Sequence, residues 1–160
     1  MMMIVALVFA ALFLLLYGSE SVRSSIPTVP TLTEEQVVAI MRTDIQKRVG
    51  NVSVSMNDIS ESSDERLPLI YYRLGDNMAF RINGTSHEVM ASCNPSVECF
   101  LNNREEALAS VNGRLFYFVD GAYSGEGKSS PSYYYIDARN GDILWSYIGE
   151  DVYPELRQQS

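Results

Sequence analysis

SYYYIDARNGDILWSYI, residues 132–148, places two aromatic runs on either side of a turn. Residues 132–137 and 143–148 have the β-branched and aromatic composition of strands. Between them, Ala138-Arg139-Asn140-Gly141-Asp142 contains Asn-Gly, a tight-turn signal because both residues tolerate positive φ. The stretch therefore predicts an antiparallel hairpin. Asn140 and Gly141 are expected to shape its turn, and Asp137 to bond the turn backbone through its side chain. Alternate residues of a strand face opposite ways, so Tyr133 and Tyr135 share one face while Tyr134 and Ile136 share the other. One face is expected to pack under a helix. The other, carrying Tyr133, Tyr135 and Trp145, is a candidate partner-binding surface, since Tyr and Trp give large contact area at low entropic cost. The competing reading makes all these rings core.

Working back along the chain, RLFYFV (114–119) reads as a strand with both faces apolar, and 121–131 as a long Gly/Ser loop. LPLIYYRL (67–74) and MAFRI (78–82) flank Gly75-Asp76-Asn77 and form a second expected hairpin. Pro68 assigns the start of the first of these strands to a sheet edge. Asn83-Gly84 marks another turn, and 87–92 a further strand. Val52, Val54 and Met56 alternate with Ser53 and Ser55, the pattern of a half-buried strand. Two helices are expected. The longer, within 31–50, opens with Thr33 as N-cap and Gln36 at the third helical position, a capping box. Glu34 and Glu35 complement the helix dipole, and Gly50 ends the helix. Val38, Met41, Ile45 and Val49 would form its apolar face. The shorter, 105–111, would be capped by Asn103. The class is α+β: a helix packed on an antiparallel sheet. Residues 31–150 form a single expected domain, followed by a polar tail at 151–160. A helix followed by strands occurs at 33–82 and again at 103–148, which raises an internal duplication.

The chain opens with MMMIVALVFAALFLLLY, seventeen residues without charge, Gly or Pro. A buried helix of a soluble domain would show a polar stripe, and this segment has none. Residues 1–21 thus form a signal peptide or a membrane anchor. Ser19-Glu20-Ser21 offers a small-x-small cleavage site, which favours the first; the missing Lys or Arg before the apolar run favours the second. Either way, residues 1–17 engage a membrane as a hydrophobic helix, and the rest lies on the extracytoplasmic side, anchored or secreted. VRSSIPTVP, residues 22–30, reads as a Ser/Pro linker.

Net charge is −8, and Lys47-Arg48 is the longest basic run, which argues against nucleic acid as a partner. Cys93 and Cys99 enclose five residues; in an exported protein such a pair is expected to close as a disulfide, constraining the unfolded chain by roughly 2 kcal/mol. The single histidine, His87, and the absence of paired C-x-x-C spacing give no metal site. Gly125-Glu126-Gly127-Lys128-Ser129 misses the phosphate-binding pattern, because position 122 is Ala and Pro131 follows where a helix should begin. No nucleophile stands in a recognised triad context, so the reading is non-catalytic and without cofactor. Asn51 and Asn83 head Asn-x-Ser/Thr sequons and are candidate glycosylation positions in a host that glycosylates.

Residues 133–144, with Asp137-Ala138-x-x-Gly141 between two strands, resemble the closing hairpin of PepSY domains. The capped helix from Thr33 to Val49 is similar to the opening helix of that family. The similarity is close over about a dozen residues, and the middle, 83–112, departs from it. The resemblance implies a small PepSY/cystatin-like helix-on-sheet module of an exported protein. It further implies a binding or regulatory role towards a peptide, a peptidase or another envelope protein. The alternative is a structural or accessory cell-envelope protein with no small-molecule site. Asp137, Gly141 and Trp145 also fit the repeat of quinoprotein-type β-propellers, but one copy in 160 residues excludes that ring.

Overall fold

The computed structural model describes residues 26–56, 69–75, 78–94, 105–125 and 128–149. The expected membrane segment at 1–17 and the polar tail at 151–160 lie outside these. Among the described residues no helix is long and apolar enough to cross a membrane.

Helix α1, Glu34–Val49, starts where its capping box predicts. Thr33 Oγ1 accepts from the Gln36 N–H, and Gln36 Oε1 accepts from the Thr33 N–H at 2.8 Å. Lys47 and Arg48 occupy the last turn, and Gly50 ends the helix at φ 100°, a conformation that costs glycine little. The buried stripe is Val37, Met41 and Ile45. Val38 and Val49 sit at its margins, half-buried.

Among the described residues seven strands form one antiparallel sheet: β1 Ser53–Met56, β2 Leu69–Leu74, β3 Met78–Ile82, β4 Val89–Cys93, β5 Leu115–Gly125, β6 Lys128–Asp137 and β7 Ile143–Ile148. The order is β4-β3-β2-β5-β6-β7. Strand β5 pairs with β6 along one side from Phe116 to Gly125. Its other side is shared by β2, opposite residues 115–118, and β1, opposite residues 121–124. A short second helix, α2 Glu105–Ser110, precedes β5.

Alternation along the strands gives the sheet two apolar faces. On one, Ile70, Phe80, Ile82, Leu115, Tyr117, Val119, Tyr134 and Ile136 pack beneath α1. On the other, Leu69, Tyr71, Phe116, Phe118 and Tyr135 pack with Ala107, Leu108 and Val111 of α2 and its end. The buried Arg73 donates through Nη1 to the carbonyl of Leu108, near the C-terminus of α2, where a cation suits the helix dipole.

Three expectations change. The described parts of the expected loop at 121–131 are strand: β5 runs to Gly125 and β6 starts at Lys128, with Ser124 opposite Ser129 and Gly125 opposite Lys128, while 126–127 lie outside the described residues. Glycine is used there for close approach. A Cβ on Gly121 would lie 2.8 Å from the backbone oxygen of Ser55 in β1 and 3.2 Å from Met41 Cε in α1. Strand β2 lies inside the sheet rather than at its edge, between β3 and β5; Pro68 itself is outside the described residues. Finally, Ile26 lies in the stretch expected as linker, yet it is 8% exposed and belongs to the core under α1.

Candidate functional site

The turn at the tip of the C-terminal hairpin is built as the sequence predicts for Asp137 and Gly141, and differently for Asn140. Asp137 Oδ1 accepts from the Arg139 N–H at 2.9 Å, and Oδ2 meets Arg114 Nη1 at 3.0 Å. The Gly141 N–H donates to the Asp137 carbonyl at 3.0 Å, with Gly141 at φ 80°. Asn140 does not take positive φ; among the described non-glycine residues only His87 does. Asn140 instead accepts from the Asp142 N–H through Oδ1 and donates to Asp142 Oδ2. The loop is five residues long, so one left-handed residue suffices to close it. Ala138 joins this turn to the start of α1: its carbonyl accepts from both Thr31 and Leu32 N–H groups, at 2.8 and 3.1 Å. The Asp-Ala-x-x-Gly signature thus serves to hold hairpin and helix together.

The face of this hairpin turned away from α1 carries the aromatic strip. Tyr135 stacks obliquely on Trp145 at 5.3 Å and on Phe116 at 5.2 Å, and Tyr133 stacks on Tyr147 at 5.9 Å with planes 24° apart. The three candidate rings do not share one fate. Tyr135 is fully buried, enclosed by Phe116, Phe118 and Trp145, and cannot touch a partner. Tyr133 and Trp145 are half-buried, as is Tyr147. Asp120 of β5 lies directly opposite Tyr133. Burial, then the charge of Asp120, then Tyr147, push the Tyr133 hydroxyl above its ordinary pKa, so it stays protonated at neutral pH.

Tyr147 belongs to the aromatic cluster of the sequence but not to its three candidate contacts, and Asp120 was not singled out at all. The hairpin closes with Asp137 N–H donating to Asp142, a register that would set Tyr133 opposite Ser146. A bulge between Tyr135 and Ile136 takes up Leu144 and moves Tyr147 opposite Tyr133. Nothing in the sequence announces that bulge. The alternation that placed Tyr133 and Tyr135 together also places Asp120 beside them, once β5 is known to pair with β6.

A concavity of about 330 Å³ lies at the start of α1, lined by Leu32, Glu34, Glu35, Gly84, His87 and Tyr117 among others. Tyr117 donates to the Leu32 carbonyl at 2.8 Å, and burial followed by the charges of Glu34 and Glu35 pushes its hydroxyl up to about 12. Such a phenol stays protonated at neutral pH and serves as a fixed donor between sheet and helix. Among the described residues no group of three or more His, Cys, Asp or Glu is placed to hold a metal ion.

Cys93 ends β4, half-buried and not a free cysteine; Cys99, its expected partner, lies outside the described residues. Asn51 is exposed just after α1. Asn83 is half-buried, and its Oδ1 accepts from the N–H groups of Thr85 and Ser86 at 2.8 Å each. No protein-family model, curated protein or solved structure matches the chain.

Proposed function

We propose that this chain is a non-catalytic, PepSY-like binding module of the extracytoplasmic side. In this reading residues 1–17 engage the membrane, and the aromatic strip of the C-terminal hairpin takes a peptide, a peptidase or another envelope protein. The observation that carries it is the half-exposed set Tyr133, Trp145 and Tyr147, stacked on the sheet face that α1 leaves uncovered. Stacked rings over a rigid sheet lose little entropy on contact, and amphipathic tips suit a surface that is wet when free. The uninterrupted apolar run at the N-terminus supports the location.

Tyr133→Ala and Tyr147→Ala test the surface. Each should melt near the wild-type temperature, because half-buried rim rings support little core, while capture of partners from an envelope extract is lost. Unfolding of both variants would reassign the rings to the core. Normal melting with unchanged capture would favour an accessory envelope protein without this binding face. Location is tested separately, by protease added outside intact cells: residues beyond 25 should be digested without lysis.

A further inference from the structure

We propose that the partner segment is an extended peptide that binds as an added strand along the open edge of β7. This rests on reading the hairpin as the binding surface and specifies how that surface recognises its ligand. Strand β7 ends the sheet order, and among the described residues no strand pairs along its outer side. The phase of its backbone groups follows from one bond. Gly149 N–H donates to the Pro131 carbonyl at 2.8 Å, so Tyr147 and Trp145, two and four residues earlier, also exchange bonds with β6. Ser146 and Ile148 alternate with them and therefore direct their N–H and C=O groups outward. A row of such donors and acceptors is matched by another strand backbone and by few other ligands.

Natural edges are commonly protected by charge or proline. Ile143–Ile148 contains neither. Trp145 and Tyr147 stand beside this edge on one face, and Ile143 and Ile148 pack towards the α1 core on the other. An added strand would thus set alternate side chains against the aromatic strip. The opposite edge, β4, offers no aromatic residue and is irregular opposite Arg81 and Ile82.

The probe is a fluorescein-labelled synthetic peptide, Lys-Lys-Val-Thr-Val-Thr-Val-Lys-Lys, titrated against the full chain. Binding is expected. Two N-methylated versions, one modified at the valines and one at the threonines, block opposite edges of the peptide, and only one should bind. Ser146→Pro removes an outward N–H but no bond to β6, and should abolish binding with an unchanged melt; if that variant unfolds, the methylated pair decides alone. No binding of the unmodified peptide overturns the proposal. Binding of both methylated versions overturns strand addition too; if it is lost in Tyr133→Ala, the aromatic surface stands without it. Retention by Tyr133→Ala and Tyr147→Ala, with loss in Ser146→Pro, keeps the edge and removes the rings. A concentration-dependent dimer dissolved by Ser146→Pro would make a second copy the occupant and overturn the peptide.

Discussion

Gly141 and Gly121 show two different demands on a missing side chain. At Gly141 the demand is conformational as well as steric: φ is 80°, and a Cβ would approach Ile40 Cδ1 to 2.8 Å. Gly141→Val should lower stability by about 1–3 kcal/mol, because a β-branched residue resists that region. At Gly121 the obstacle is the fixed backbone oxygen of Ser55, so Gly121→Ala must push β1 off β5. Its cost should be about 1–3 kcal/mol, with amide exchange rising first in β1. Urea midpoints check both, and a neutral Gly121→Ala would mean β1 is not held closely. Gly141 was legible in the sequence because Asn-Gly advertises a turn. Gly121 was not, since glycine amid serines reads as loop, and the packing of α1 and β1 over it is a tertiary fact. Ser132 differs again. Among the described residues, the buried Oγ atoms of Ser130 and Ser132 have no hydrogen-bond partner. Ser132→Ala should therefore be neutral or stabilising by up to about 1 kcal/mol. A clear loss of stability would show that the hydroxyl is satisfied by bound water.

At the scale of elements, α1 is fixed to the sheet by a phenol at each end. Tyr117 donates to Leu32 just before the helix, and Tyr134 donates to Asp44 Oδ2 at 2.9 Å, with Arg48 3.0 Å from the same oxygen. Burial raises both hydroxyl pKa values; Tyr117 reaches about 12, and Tyr134 is raised further by its bond to Asp44 and by that carboxylate's charge. An unfolded tyrosine ionises near 10. Above that pH the unfolded chain loses protons that the folded one keeps, so stability is full below pH 10 and falls as pH rises towards 12. Thermal melts between pH 9 and 12 should show this fall, and Tyr117→Phe should make it shallower while giving up one hydrogen bond at neutral pH. An unchanged slope would mean that Tyr117 ionises freely in the folded state. The ends of α1 were readable from Thr33, Gln36 and Gly50, because capping is local chemistry. Its face was not: Val37 and Val38 are adjacent apolar residues, and only the position of the sheet makes Val37 the buried one. The aromatic site divides the same way, since alternation separated Tyr133 from Tyr134, whereas burying Tyr135 required α2 and β5.

For the whole molecule, the helices of the described residues cover the two sheet faces unequally, and β5 belongs to both. Sixteen residues of α1 cover one face and six residues of α2 lie on the other. The strand order is mirrored about the β2–β5 pair, with the meander β2-β3-β4 on one side and β5-β6-β7 on the other. A two-fold axis through that pair, normal to the sheet, would keep both helices on one face; they lie on opposite faces, so no single rotation relates both halves. The unequal cover predicts two classes of opening. Met41 is fully buried beneath α1 at the centre of the larger core. Met41→Ala should cost about 2–5 kcal/mol, and amides on both faces should exchange faster together, because β5 carries both. Arg73→Met keeps the apolar stem but removes the bond to the Leu108 carbonyl. Its effect should be local: faster exchange in α2 and at Val111, with α1 protected as before. Should Arg73→Met instead accelerate α1 and α2 equally, α2 would be part of the global folding unit. The aromatic face that includes Trp145 would then open only together with the rest of the sheet.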